Sequence, residues 1–192
     1  MTKTVYVIPG YTESTKLIGY KKAMQFFSCQ GIKPVPITIT WKYRTMSDYV
    51  KQFLQQYHSP HGKDVYLFGF SFGAMIALIA AATIKPKLLL LCSLSPYFKE
   101  DLPFLKKHWK KSIGTRRIRD LKQHPFNRLA KKISCNVILV AGSKESKQIW
   151  RRARDANKKL RKSKLITASG AKHKLSQKEY LDTVRQIISK LS

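Results

Sequence analysis

The pentapeptide Gly69-Phe70-Ser71-Phe72-Gly73 constrains this chain more than any other stretch. Before it runs Asp64-Val65-Tyr66-Leu67-Phe68, apolar and β-prone; after it runs Ala74-Met75-Ile76-Ala77-Leu78-Ile79-Ala80-Ala81-Ala82, apolar and helix-prone. Strand, sharp turn and helix in that order put a serine on a strained bend at the carboxyl edge of a sheet, over a helix N-terminus. The flanking glycines let backbone approach where a Cβ would collide.

Periodicity extends the pattern over the rest of the chain. Apolar β-branched runs alternate with helical stretches, which predicts a three-layer α/β/α sandwich around a six-stranded, mostly parallel sheet. Strands are expected over Thr4–Ile8, Val35–Thr40, Val65–Phe68, Leu88–Ser93, Asn136–Val140 and Leu165–Thr167. Pro34 and Pro36 assign the second to a sheet edge, where a missing N–H does little harm. Helices are expected over Thr15–Cys29 with Gly31 as its stop, from a Ser47 cap to Tyr57, from the elbow to Ile84, over Lys147–Leu160, and after a Ser176 cap. In the last of these Tyr180, Val184, Ile187, Ile188 and Leu191 share one face.

The 192 residues, 43% of them hydrophobic, suffice for one core and show no linker or repeat, so residues 1–192 are expected to form a single domain. Met1-Thr2-Lys3-Thr4 leads directly into the first strand, leaving no room for a signal peptide. Val65 to Ile84 carries no formal charge, but the glycine-flanked turn in its middle argues against a membrane span. Cys29, Cys92 and Cys135 are odd in number and have no metal-ligand spacing; they fit a reducing, cytoplasmic compartment, with Cys92 a buried thiol. The net charge of +28 implies non-specific attraction to polyanions. Lysine outnumbers arginine 28 to 10 and is spread along the whole chain, which argues against base-specific recognition.

A serine hydroxyl becomes a nucleophile when a histidine takes its proton and a carboxylate orients that histidine. In a parallel sheet those groups belong on loops at the carboxyl ends of strands. His58 and His61 precede the third strand, at its amino end, and His108 and His124 lie in a long basic stretch. His173 follows a strand's carboxyl end, in Ser169-Gly170-Ala171-Lys172-His173. Glu145 follows the fifth strand in Gly142-Ser143-Lys144-Glu145 and is favoured on loop position over Glu100 and Asp101, which remain rivals after the fourth. A plain helix N-terminal charge is the alternative role for Glu145.

The order Ser71, Glu145, His173 behind an elbow resembles the α/β-hydrolase superfamily, and the resemblance spans nearly the whole chain. It implies a minimal member, without two edge strands of the larger relatives. It implies an oxyanion hole from the N–H of Phe72 and, from the loop Pro9-Gly10-Tyr11, the N–H of Tyr11; the His-Gly common in that loop is absent here. The segment 97–132 occupies the place of the family's lid, where Tyr97, Phe98, Leu102, Phe104, Leu105 and Trp109 line either an acyl pocket or the core side of a crossover. Trp41 and Tyr43 are candidates for the opposite wall.

The function so implied is a serine hydrolase, a carboxylesterase for small or short-acyl esters, using no metal or cofactor. Thioesterase, amidase and peptidase activity need the same groups. A binding protein for nucleic acid or another anionic surface, built on a hydrolase scaffold, is the competing class.

Overall fold

A computed structural model describes residues 3–58 and 64–191; His61 lies outside the described residues. Six strands form one sheet: β1 Lys3–Ile8, β2 Ile32–Pro36, β3 Asp64–Phe70, β4 Leu88–Cys92, β5 Asn136–Gly142 and β6 Ser163–Ala168. Their order is β2-β1-β3-β4-β5-β6, and every pair is parallel. The chain winds outward from β1 to β2, then returns to β3 and continues the other way. The carboxyl ends of β1 and β3 therefore flank the switch point where an open α/β sheet forms a crevice.

Alternation along the strands feeds a core on each face. Tyr6, Ile8, Leu67, Leu89, Leu91 and Leu139 face one layer. It includes α2 (Met46–Gln56) and α3 (Phe72–Ile84), followed in chain order by α4 (Lys107–Ile113), α5 (Thr115–Leu121), α6 (Phe126–Lys132) and α7 (Lys147–Lys159). Val5, Val7, Phe68, Phe70, Leu90 and Val140 face α1 (Ile18–Cys29) and α8 (Lys178–Ile188), which pack on each other. Among the described residues no helix is long and apolar enough to cross a membrane. The uncharged run from Val65 is divided between β3, the elbow and α3.

Among the boundaries that differ from expectation, those of β2, α2 and α8 have a visible cause or a different cap residue. β2 begins and ends earlier than Val35–Thr40. Ile37 N–H still donates to Val7 O, so Pro34 and Pro36, on the alternate positions, turn their nitrogens outward. Beyond it, two glutamine side chains replace a neighbouring strand. Gln56 donates to Thr38 O and accepts from its N–H (2.8 and 3.0 Å), and Gln52 does the same with Thr40 (3.1 and 2.7 Å). Thr45, not Ser47, caps α2, in a reciprocal box with Asp48. Ser47 is engaged by Asp120 and His124 instead. Gln177, not Ser176, occupies the cap position of α8.

The segment between β4 and β5 is held by both rival carboxylates. A 3₁₀ helix covers Lys99–Phe104. Glu100 accepts the N–H groups of Phe126 and Asn127 at the start of α6. Burial raises its pKa, and those N–H groups outweigh it and leave the carboxyl below its ordinary value. Asp101 is 1% exposed and takes a bidentate pair from Arg152, itself 3% exposed, at 2.7 and 2.9 Å. It also accepts the N–H of Phe98. The Arg152 guanidinium lies over the Phe126 ring.

Removing Asp101 leaves the buried Arg152 guanidinium with only the partly exposed Asp155 as counter-charge among the described residues. Asp101→Ala is expected to lower the unfolding free energy by about 3 kcal/mol in urea titration. Asp101→Ala with Arg152→Met should recover part of that loss, because no orphan charge then remains.

Candidate active site

The elbow is a consequence of close backbone contact. A Cβ on Gly69 would lie 2.3 Å from Gly73 O, and one on Gly73 would lie 2.2 Å from Ile8 O. The two glycines thus let α3 pass directly over β3 and the end of β1. Between them Ser71 takes φ 56°, ψ −117°, a conformation costly for any residue with a side chain. Its N–H donates to Cys92 O, which extends the sheet pairing one residue past β3.

Ser71 Oγ lies 3.0 Å from His173 Nε2. His173 Nδ1 lies 3.4 Å from Glu145 Oε1. The structure therefore brings together side chains from the loops after β3, β5 and β6, at one edge of the sheet. The two distal loops are tied to each other. Lys144 N–H donates to Ala171 O, and Gly170 N–H to Ser143 Oγ. Gly142 permits this, since a Cβ there would meet Ala171 O at 2.4 Å. Gln177, at the start of α8, accepts the N–H of Lys172 and holds the histidine loop from behind. The His173 ring rests against Phe70 at 5.0 Å.

Glu145 is fully buried. Its Oε1 accepts the hydroxyl of Ser93, and its Oε2 has no hydrogen-bond partner among the described residues. Ser93 is buried at positive φ just past β4. The Tyr180 hydroxyl stands 2.7 Å from Ser93 Oγ. Because Ser93 gives its hydrogen to Glu145, the single Tyr180 hydrogen is shared between Ser93 Oγ and Val140 O, which lies 3.1 Å away. Burial pushes the Tyr180 phenol far up, which keeps that hydrogen in place. The other carboxylates in contention lie elsewhere: Glu100 and Asp101 hold α6 and Arg152, and Asp155 pairs with Arg152 and Lys159. The other described histidines are equally distant in role. His124 meets Ser47 and Asp120, His108 stacks on Trp109, and the carbonyl of His58 accepts from Tyr6.

A cavity of about 600 Å³ opens over Ser71 and His173. Tyr11, Phe72, Tyr97, Leu105 and Trp109 line it. Phe98 does not: it is fully buried against Phe126 in the core. Trp41 stands behind the cavity wall, 5.5 Å from the Tyr11 ring, and Tyr43 is on an adjoining exposed cleft. Phe104 lies outside under Arg151, and Leu102 is buried in the core. The loop carrying Tyr11 is braced from within. Gly10 N–H donates to the Tyr20 hydroxyl, which donates to Glu13, whose own N–H returns to Gly10 O. The N–H groups of Tyr11 and Phe72 have no partner among the described residues. No group of three or more potential metal ligands occurs among the described residues.

Four neighbours of the site escaped sequence reasoning. Ser93 and Ser95 sit in a Leu/Ser run that reads as a strand end, yet Ser95 Oγ is 3.2 Å from Ser71 Oγ. Tyr180 reads as an apolar face residue and Glu13 as loop polarity. The usable signal was position: both serines immediately follow a central strand, on the edge that carries the elbow.

No protein-family model matches this chain, and no curated protein matches it. Solved structures do. Est1E from Butyrivibrio proteoclasticus superposes with a TM-score of 0.82 at 16% identity, covering 97% of this chain and 85% of that one. Alpha/beta hydrolase domain-containing protein 10 from mouse gives 0.72 at 17%, covering 100% and 92%. Dienelactone hydrolase from Anabaena variabilis gives 0.71 at 16%, covering 98% and 84%. At these identities the likeness is one of fold.

The strain at the elbow is measurable without any substrate. Ser71→Ala and Ser71→Gly both delete the hydroxyl, but only glycine relaxes at φ 56°. Ser71→Gly should unfold at higher urea than Ser71→Ala, by about 1 kcal/mol, against the usual order for the two residues.

Proposed function

We propose that this chain, an α/β-hydrolase by fold, is a serine carboxylesterase acting on small or short-acyl esters. The observation that carries this reading is the line from Ser71 Oγ through His173 to Glu145, 3.0 and 3.4 Å long, at the open edge of the sheet. Assigning the proton on Nδ1, facing Glu145, leaves Nε2 free to accept from the serine.

Ser71 Oγ attacks the ester carbonyl as its proton moves to His173 Nε2. Glu145 then faces an imidazolium across one of its oxygens, and the partnerless Oε2 makes that charge pair more valuable than in water. The N–H groups of Phe72 and Tyr11 receive the developing oxyanion, each worth about 3 kcal/mol. Collapse breaks the C–O bond to the alcohol, which leaves with the proton from His173. Water, deprotonated by the same nitrogen, attacks the acyl-serine, and the free acid departs as Ser71 recovers its proton. Tyr97, Leu105 and Trp109 give the segment 97–132 the part of a short lid over an open cavity, which suits small acyl groups.

A fluorophosphonate probe should label the wild type and spare Ser71→Ala; an unlabelled wild type would sink the reading. Glu145→Gln should cut p-nitrophenyl acetate turnover by about a hundredfold or more. Asp101→Asn, measured on its folded fraction, should change it little, and the reverse pattern would move the acid to that loop. Matched thioesters and amides in the same assay sort the esterase from its chemical relatives.

The support under Glu145 gives a further test. Ser93→Ala removes a hydrogen bond to a buried carboxylate, an interaction of about 1.5–3 kcal/mol. Turnover should fall about tenfold or more with KM little changed.

A further inference from the structure

A second cavity, about 130 Å³, adjoins the one over Ser71. The two share four wall residues, Tyr11, Phe72, Tyr97 and Trp109. The smaller one adds apolar surface from Met46, Ile113 and Leu121, together with three polar groups, Tyr49, Ser112 and Arg117. It is thus an aromatic-walled pocket beside the reacting serine, with Arg117 on the wall between it and the open cleft of Trp41 and Arg44.

Arg117 is the unusual member. Its Nε–H donates to Arg44 O at 2.9 Å, one Nη1–H to the Tyr11 hydroxyl at 3.2 Å, and Nη2 approaches Trp41 O at 3.5 Å. These are carbonyl and hydroxyl contacts, which orient the fork without neutralising it. Among the described residues no carboxylate lies within ion-pair distance of it, whereas its neighbour Arg116 reaches Asp48. A guanidinium has five N–H groups, so one on each terminal nitrogen remains unspent. Unspent charged donors in a half-buried setting match a carboxylate better than any neutral group. Tyr49 offers no competing anion: burial above all pushes its phenol up to about 12, and the hydroxyl gives its hydrogen to the carbonyls of Trp41 and Arg44.

We propose that this pocket receives the acyl part of the ester and that Arg117 selects acyl groups ending in a carboxylate. The substrates of this class are monoesters of short dicarboxylic acids or of carboxyl-substituted aromatic acids. The inference rests on Ser71 being the nucleophile of an esterase. The aromatic walls accept a short chain or a single ring, and the fork holds the far carboxylate, which fixes the near carbonyl over Ser71. Arg117 ties this recognition to the oxyanion loop through the Tyr11 hydroxyl.

The test compares esters matched in shape and differing in charge: monoethyl glutarate against ethyl pentanoate, and monomethyl terephthalate against methyl benzoate, followed by pH-stat. The readout is the ratio of charged to neutral kcat/KM within each enzyme, at physiological and at high salt. The wild type should favour the charged member by about tenfold, and that preference should survive salt because the pair is sheltered. Arg117→Gln should bring the ratio to one or below, with Arg117→Lys between. A preference that vanishes with salt and persists in Arg117→Gln belongs to the diffuse positive surface and overturns the assignment. So does efficient hydrolysis of the neutral esters with no preference in the wild type, and that result leaves the esterase reading standing. Failure to hydrolyse any of the four, with no fluorophosphonate labelling, removes the esterase reading and this inference with it.

Discussion

Van der Waals contact between the elbow and the end of β1 sets the geometry of the whole candidate site. The carbonyls of Ile8 and Pro9 occupy the space where a side chain on Gly73 would begin. That contact presses the N-terminus of α3 onto the sheet and leaves Ser71 no unstrained conformation. It also brings the Tyr11 loop within reach of Phe72, whose rings lie 5.2 Å apart. One tight approach therefore sets Ser71 and Phe72 against the Tyr11 loop.

The second organising element is the scarcity of negative charge. Only 10 acidic residues face 38 basic ones, and the buried carboxylates are all committed. Asp101 and Glu100 fasten the segment between β4 and β5. Among the described residues, Glu145 is held by a hydroxyl and by no cation except a protonated His173. A carboxylate supported by neutral donors keeps its charge available for whatever positive species forms beside it. A lysine in place of Ser93 would neutralise it in advance.

Sequence reasoning reached the sheet, its edge strand and the three loops of the site because each rests on short-range rules. Strand, turn and helix propensities, glycine spacing and loop position at strand ends are all local. It misplaced the second strand because Gln52 and Gln56, twelve and eighteen residues from their targets, satisfy Thr38 and Thr40. No periodicity encodes that pairing. It left Phe98 open between a pocket and the core, and overlooked Ser93, for a similar reason. Both positions are decided by which residues of distant segments, Phe126 in one case and Glu145 in the other, arrive at the same place.

The glutamine pairing along Thr38 and Thr40 has a consequence for how copies of this chain meet. An exposed strand margin offers a row of unsatisfied amides on which another polypeptide can assemble. Here one margin is blunted twice: prolines remove the outward donors of β2, and side-chain amides occupy the segment that follows. With lysines bristling over the rest of the surface, templated growth of the sheet from molecule to molecule is blocked on that side. Colloidal repulsion keeps approaching copies apart before they reach it.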